Sequence, residues 1–304
     1  KSIADLTGIE AFTALTELRC SVNQLDTLDV SNNTALTELY CGFNQLTSLD
    51  VSSNTALTEL YCYNNQLDTL DVSSNTDLTE LYCNNNQLDT LDVSSNTDLI
   101  GLVCHYNQLT SLDVSSNTAL TELYCYYNLL NSLDVSGATA LTYLYCYNNQ
   151  LTSLDVSNNT ALTYLYCNNN QLTSLDLRNG NNLNMSYPNF TLNPNLYCIN
   201  VDNPTFSTSN WANIDPSSSF SYSCGVPQTY VPDNNFEQAL IDLGLDNILD
   251  DSVTTANIDT VTILDVSGKS IADLTGIEAF TALTQLNCNY NQLDTLDVSG
   301  ATAL

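Results

Sequence analysis

The chain has 304 residues, enough for one or two domains, and 43% of them are hydrophobic, so a core can be buried. Its 34 acidic side chains against four basic ones give a net charge of −30, which repels nucleic-acid phosphates and anionic lipid headgroups. No run approaches the roughly 18–20 apolar residues of a membrane span. We therefore expect no nucleic-acid binding and no direct membrane insertion, and partners such as basic proteins, neutral glycans or cations.

Residues 1–177 are predicted to form an array of 21-residue repeats with a truncated N-terminal cap, and the cysteine of the repeat recurs at that interval from Cys20 to Cys167. Residues 78–98, LTELYCNNNQLDTLDVSSNTD, show the unit LxxLxCxxNxLxxLDVSxNT. The LTELYC segment alternates in character, which predicts a half-buried strand with the leucines and cysteine inward and the glutamate and tyrosine outward. The LDV segment predicts a second short strand. Neither strand can bury its apolar side alone, so stacked turns must supply the core.

Each unit also carries an asparagine three residues after its cysteine. A buried column of these side chains would satisfy backbone groups in the turns. The pattern matches leucine-rich repeats and predicts a right-handed leucine-rich repeat solenoid with a parallel β-sheet on the concave face, mostly β with little helix, and with terminal caps. The asparagines are Asn23, Asn44, Asn65, Asn86, Asn107, Asn128, Asn149 and Asn170.

The repeat fails after Leu177, and all six prolines lie between residues 188 and 232. Solenoids need caps over their last core layer, so residues 178–226 are predicted to form a C-terminal cap. The covering side chains are predicted to be Phe190, Phe206, Trp211, Ile214 and Phe220.

Residues 227–268 are predicted to be the N-terminal cap of a second unit. Within them, VPDNNFEQALIDLG predicts a helix that begins at Asp233 or Asn234 and ends at Gly244. Its buried face is predicted to comprise Phe236, Ala239, Leu240 and Leu243.

Residues 269–304 repeat residues 1–36 with six differences and are predicted to start a second, truncated array. We therefore expect further domains in the same longer chain. Because no following turn covers Leu283, Leu286 and Leu293, we expect this end to be poorly ordered or to associate with another chain.

The repeat units, the NPNLYCINVD segment with its following tryptophan and cysteine, and the VPDNNFEQALIDLG entry resemble bacterial cell-surface leucine-rich repeat proteins. The resemblance is broadly internalin-like and is strongest to the Cys-containing 21-residue repeats of secreted Bacteroidetes (flavobacterial) proteins. It covers nearly the whole chain. It implies a secreted or cell-surface module on the outer surface of a bacterium, with a role in interaction or adhesion, and it does not imply a ligand.

The cysteine column has three interpretations. Zinc sites need short cysteine pairs and usually histidine, whereas these cysteines are single and the one histidine, His105, lies on the opposite face from Cys104. Disulfides between neighbouring turns would be strained, because strand spacing holds the β-carbons too far apart. The favoured interpretation is a small buried hydrophobe in each turn.

Cys198 and Cys224 lie outside the column and bracket a loop-rich segment of the predicted cap. In a secreted protein this arrangement indicates a disulfide, with two separate buried thiols as the alternative.

The outward positions of the predicted sheet form columns of tyrosine, glutamate and asparagine. Tyrosines there would offer large contact areas at a small loss of entropy, which indicates a ligand-binding surface. Equally, stacked tyrosines stabilise neighbouring strands, and duplication copies them without any ligand. The candidate ligand-binding residues are Glu38, Tyr40, Glu59, Tyr61, Tyr63, Glu80, Tyr82, His105, Tyr106, Glu122, Tyr124, Tyr126, Tyr143, Tyr145, Tyr147, Tyr164 and Tyr166.

A column of aspartates, one per turn from Asp29 to Asp176, raises the question of calcium. No calcium-loop spacing occurs, so a solvated charged face is favoured, and we expect no metal and no cofactor. With one histidine and no nucleophile–base pair, we expect no enzyme. The sequence favours a non-enzymatic module that binds a protein or glycan through the concave face. The alternative is a structural spacer that displays another domain.

Overall fold

The structure, a computed structural model, describes residues 2–225 and 227–304. It divides into two compact units, Lys1–Cys224 and Gly225–Leu304. Position 1, where the predicted array begins, and position 226, where the predicted cap ends, lie outside the described residues.

The first unit is built on an eight-stranded parallel sheet with one strand per turn. Equivalent residues of successive turns pair directly, as Leu39 does with Leu60. The leucine-rich repeat solenoid predicted from the 21-residue period is thereby confirmed. The strands are Glu17–Arg19, Glu38–Tyr40, Glu59–Tyr61, Glu80–Tyr82, Gly101–Val103, Glu122–Tyr124, Tyr143–Tyr145 and Tyr164–Tyr166.

The LDV segments form strands only in the later turns. Ser111–Asp113 pairs with Ser132–Asp134, and a separate four-stranded sheet contains Ser153–Asp155, Ser174–Asp176, Cys198–Asn200 and Ser219–Ser221. In the earlier turns the same segment buries its leucine and valine without a regular strand, as at Leu91 and Val93. The motif therefore specifies burial more strictly than strand pairing.

Two asparagine ladders run through the core. In the predicted ladder, Asn86 donates to the carbonyls of Cys62 and Cys83, at 3.1 and 3.0 Å, and accepts from the Leu67 N–H at 3.0 Å. The second ladder, which was not predicted from the sequence, is formed by the asparagine of the SxNT segment. There Asn96 donates to the carbonyls of Val72 and Asn75, at 3.0 and 2.8 Å. Each ladder ties a turn to the one before it.

The first unit is closed at its far end by aromatic side chains. Phe190 and Trp211 are buried, and Phe206, Ile214 and Phe220 pack partly buried against the core. A disulfide joins Cys198 to Cys224, with 5.6 Å between their Cα atoms. The helical segments of this unit are Ile9–Ala11 and Asn182–Asn184, both 3-10, and the α-helix Pro204–Asn210.

The second unit opens with strands Gln228–Tyr230 and Ser252–Thr254, which pair antiparallel around helix Asn234–Asp242. Asp233 caps this helix by accepting from two backbone N–H groups, and Gly244, at φ 73°, ends it. The prediction for Leu243 is wrong, because this residue is 50% exposed. It follows the last helical residue, and Leu245 beyond the turn packs against the core instead.

The rest of the second unit comprises the short helix Thr255–Ile258, the 3-10 helix Ile277–Ala279, and strands Ile263–Asp265 and Gln285–Asn287, which pair in parallel. Leu283 is fully buried, so the prediction that it lies uncovered is wrong. It packs into the hydrophobic cluster of this unit and needs no following turn, whereas Leu286 and Leu293 are only partly buried there.

Candidate functional site

The outward side of the eight-stranded sheet carries every candidate ligand-binding residue. We call this surface the tyrosine face; it comprises the first and third residues of each strand and the two residues after each cysteine. Its strand side chains are half-buried in most turns, as at Glu59 and Tyr61, while Leu60 between them is buried. The rings are half-buried because neighbouring rings pack on each other.

Stacked rings run along the face from turn to turn. The ring centroids of Tyr40 and Tyr61 are 4.7 Å apart, and those of Tyr126 and Tyr147 are 4.5 Å apart. The same holds further along, where Tyr143 and Tyr164 stack at 4.6 Å. Stacking covers the faces of the rings and leaves their edges and hydroxyls outermost. The predicted tyrosine columns therefore stabilise the sheet and also present polar edges.

Carboxylates interleave with the rings. The Tyr40 hydroxyl donates to Glu59 at 2.5 Å and to Glu38 at 3.0 Å, and the bond to Glu59 raises the pKa of this tyrosine well above its ordinary value. Burial raises the pKa of Tyr61 to about 12. Burial, and then the charges of neighbouring glutamates, raise the pKa of Glu80. Tyr40 and Tyr61 therefore stay protonated hydrogen-bond donors on a negatively charged surface.

The fifth turn interrupts both columns. Gly101 and Val103 replace the usual glutamate and tyrosine, and both are buried. Two residues on, His105 stacks on Tyr126 with 4.2 Å between ring centroids. Burial lowers the pKa of His105 to about 4, so the imidazole is neutral at physiological pH.

One residue in each turn, directly before the ladder asparagine, has a left-handed backbone. Asparagine suits this conformation and occupies four of the eight positions, but Phe43, Tyr106 and Tyr127 are aromatic, with φ of 52–53°. Phe43 and Tyr127, both more than 40% exposed, were not among the predicted site residues. The signal that would have found them is their place one residue before the predicted asparagine ladder.

The cysteines of the repeat column, from Cys20 to Cys167, form a ladder of buried and free thiols, called the ladder cysteines. Burial raises the pKa of Cys62 and Cys104 to about 12, so these thiols stay protonated at neutral pH. Across residues 2–225 and 227–304, no group of three or more His, Cys, Asp or Glu side chains is arranged to hold a metal ion.

The aspartate column has a backbone partner in the turns. Asp71 accepts from the Ser73 N–H at 2.9 Å, and Asp50 and Asp92 make the same contact. The serine hydrogen bonds lower the pKa of each of these carboxylates. These aspartates therefore shape the turns as ionised groups.

The sequence comparisons agree with this architecture. A family model described as Leucine Rich repeats (2 copies) matches residues 34–75, 55–96 and 139–179. Internalin J of Listeria monocytogenes serotype 4b (strain F2365) is 44% identical over 73 residues. That match spans 24% of this chain and only 8% of Internalin J. The fold and the repeat define the first unit as a leucine-rich repeat solenoid.

Similar solved structures come from a bacterium and a plant. The functional domain of InlJ from Listeria monocytogenes, which includes a cysteine ladder, is 29% identical with a TM-score of 0.39, over 100% of this chain and 64% of that one. The ectodomain of the Arabidopsis thaliana receptor kinase GASSHO1/SCHENGEN3, in complex with CASPARIAN STRIP INTEGRITY FACTOR 2, is 17% identical with a TM-score of 0.56, over 95% and 37%. No helix among the described residues has the length and apolarity to cross a bilayer.

Proposed function

We propose that this chain is a non-enzymatic binding module, secreted from or displayed on the surface of a bacterium, which takes a protein ligand on the tyrosine face. The observation that carries the proposal is the presence of Phe43, Tyr106 and Tyr127 at left-handed positions. Asparagine fills the equivalent place in other turns with less strain. Aromatic side chains kept at a conformational disadvantage fit a role in contacting a ligand.

Several features favour a protein over a glycan. Stacking covers most ring faces, so few remain for a sugar to stack upon. Tyrosine hydroxyls and carboxylates instead offer hydrogen bonds and negative charge, and the net charge of −30 favours a basic partner. The plant receptor ectodomain of the same fold was solved in complex with CASPARIAN STRIP INTEGRITY FACTOR 2, so this fold can serve as a binding module.

The extracellular assignment is supported by the Cys198–Cys224 disulfide, since such bonds persist in oxidising compartments. The ladder thiols are compatible with that environment because they are buried. A spacer that displays another domain is the second candidate function. It is favoured by the return of residues 1–36 at 269–304, which indicates tandem units.

A pair of matched variants tests the proposal. The full chain would be screened against arrays of purified extracellular proteins and of polysaccharides. One variant changes Tyr61, Tyr82, Tyr124 and Tyr145 to alanine. The control changes exposed tyrosines outside the face, namely Tyr197 and Tyr230.

Protein binding lost only in the face variant supports the proposal, and binding confined to polysaccharides would replace the ligand class. Equal loss in both variants would refute the tyrosine face as the site. No binding by any folded form would favour the spacer.

A further inference from the structure

We infer that Tyr106, Tyr127 and Leu129 are the point at which an apolar side chain of the protein ligand docks, within a basic segment of that ligand. This inference rests on the proposed function and places its main contact in the fifth and sixth turns. We call the three residues the anchor patch. Each of them is 44–45% exposed, so the patch is open to a partner.

The two tyrosines of the anchor patch form a rigid platform. The rings of Tyr106 and Tyr127 stack with 4.5 Å between their centroids and 8° between their planes. Tyr126 contacts both rings edge-on, at 5.8 and 6.0 Å, and Tyr147 contacts the Tyr127 ring edge-on at 5.8 Å. Because these contacts already restrict the two side chains, a ligand that binds them costs little further rotamer entropy.

Leu129 departs from the repeat. In the other seven repeats the residue after the ladder asparagine is glutamine, as in Gln108 of the preceding turn. Asn128 is buried in the ladder, whereas Tyr127 before it and Leu129 after it are exposed on the outside of the same turn. Leucine at this position therefore places apolar surface in water next to the tyrosine platform, where it adds little to the core.

The three residues are concentrated in one place. A single exposed leucine or tyrosine is ordinary on a protein surface. Tyr106 and Tyr127, however, stand where asparagine would carry less strain, and Leu129 stands where the repeat has glutamine. Tyr127 and Leu129 are two residues apart, and Tyr106 is one strand spacing away, about 4.8 Å. Departures grouped in this way favour one shared contact, as in the compact aromatic centres of protein interfaces.

The first two turns provide a comparison within the same molecule. They also expose apolar side chains at left-handed positions, at Val22 and Phe43. Both repeats keep glutamine after the ladder asparagine, and Arg19 supplies a positive charge there. The anchor patch thus differs from this surface in its added leucine and in its distance from any arginine or lysine.

The charge around the anchor patch favours a basic segment as its occupant. From residue 20 to residue 177 the chain has no lysine or arginine, and its one histidine, His105, is neutral at physiological pH. Acidic residues recur through the same turns, as at Glu122 and Asp134. An apolar side chain would cover the patch while neighbouring lysines or arginines meet the negative potential around it. An acidic segment would be repelled.

The test uses random peptides displayed on phage as the probe, selected on the immobilised full chain, with affinities of the synthesised peptides measured by fluorescence anisotropy. We expect the enriched peptides to combine a large aliphatic or aromatic residue with lysine or arginine. Tyr127→Asn combined with Leu129→Gln introduces the residues of other turns, so the fold should be kept, and peptide binding should weaken by about tenfold. Leu129→Gln alone leaves every ring in place and should weaken binding by about threefold. This single variant decides the question if the double variant fails to fold.

The control, Tyr197→Asn combined with Leu183→Gln, makes the same changes at exposed residues outside the tyrosine face and should leave binding unchanged. The inference would be overturned by a failure to enrich peptides, by enriched peptides that lack an apolar or a basic residue, by equal losses in the control, or by undiminished binding in a folded anchor-patch variant. If any of these results arises while protein-array binding still depends on the tyrosine face, the anchor patch is refuted and the proposed function stands.

Discussion

The two asparagine ladders should contribute unequally to stability, although both are buried. Asn86→Ala removes two donated bonds of 3.1 and 3.0 Å and a longer one to the Asn84 carbonyl at 3.4 Å, and it leaves the buried Leu67 N–H without its acceptor. A lost bond costs about 1 kcal/mol and an orphaned buried donor about 1–3 kcal/mol, so the substitution should destabilise the fold by about 3–5 kcal/mol.

Asn96→Ala should destabilise far less. Its two acceptors, the carbonyls of Val72 and Asn75, also accept from backbone N–H groups, at 3.0 and 3.2 Å, so neither loses its last partner. Its own Oδ1 is buried without a partner, and alanine removes that group. We expect a loss of about 1 kcal/mol. The chain already carries Ala138 at this ladder position in a later turn.

Urea unfolding followed by circular dichroism, with the disulfide intact, would measure both losses from midpoints at matched slopes. Hydrogen exchange at the Leu67 amide supplies a local readout, which should accelerate in Asn86→Ala alone. Equal destabilisation by the two substitutions, or a larger effect of Asn96→Ala, would refute the reasoning that the orphaned N–H dominates.

Three further outcomes are expected. Because burial raises the pKa of ladder thiols such as Cys62 to about 12, DTNB at pH 8 should react rapidly in the native protein only at the half-buried Cys288, and rapid labelling of several thiols would contradict this. Burial lowers the pKa of His105 from 6.5 to about 4, so stability is full above pH 6.5 and falls as the pH drops towards 4. Discounted for partial exposure, this loss is about 1–2 kcal/mol. The difference in urea stability between wild type and His105→Asn should change by this amount between pH 6.5 and 4, and a difference that stays constant with pH would contradict the burial argument. Val22→Asn should stabilise the fold by about 1 kcal/mol because valine at φ 59° is strained, and Asn64→Val should cost a similar amount; a thermal-melting shift of the opposite sign in either would contradict this.

The periodic part of the fold was predictable from sequence because a fixed 21-residue spacing forces equivalent residues into register, as at Leu39 and Leu60. Alternation within each LTELYC segment then sets which side chains face inward. The second ladder was missed because an asparagine in a serine-rich run looks like an ordinary turn residue. Only its recurrence, as at Asn75 and Asn96, distinguishes it.

The candidate site was predictable as a surface but not as a set of contacts. Sequence places Tyr63 on the face, whereas its packing depends on Gly42, where a β-carbon would meet the Tyr63 ring at 3.0 Å. The sequence period does not encode side-chain rotamers. These rotamers decide which rings stack and which carboxylates become buried. The errors at Leu243 and Leu283 have different causes: Leu243 follows the last helical residue of an irregular cap segment, whereas Leu283 belongs to a repeat that packs into the hydrophobic cluster of the second unit.

In-register pairing also fixes the distance between successive turns of the solenoid. Because each junction between turns repeats the same backbone and asparagine bonds, whole turns can be gained or lost by recombination without redesigning any joint. Each such event would move the fifth turn relative to the first turn by one strand spacing, about 4.8 Å. The distance between two parts of the tyrosine face could thus evolve in fixed steps while the side chains of each part stay unchanged.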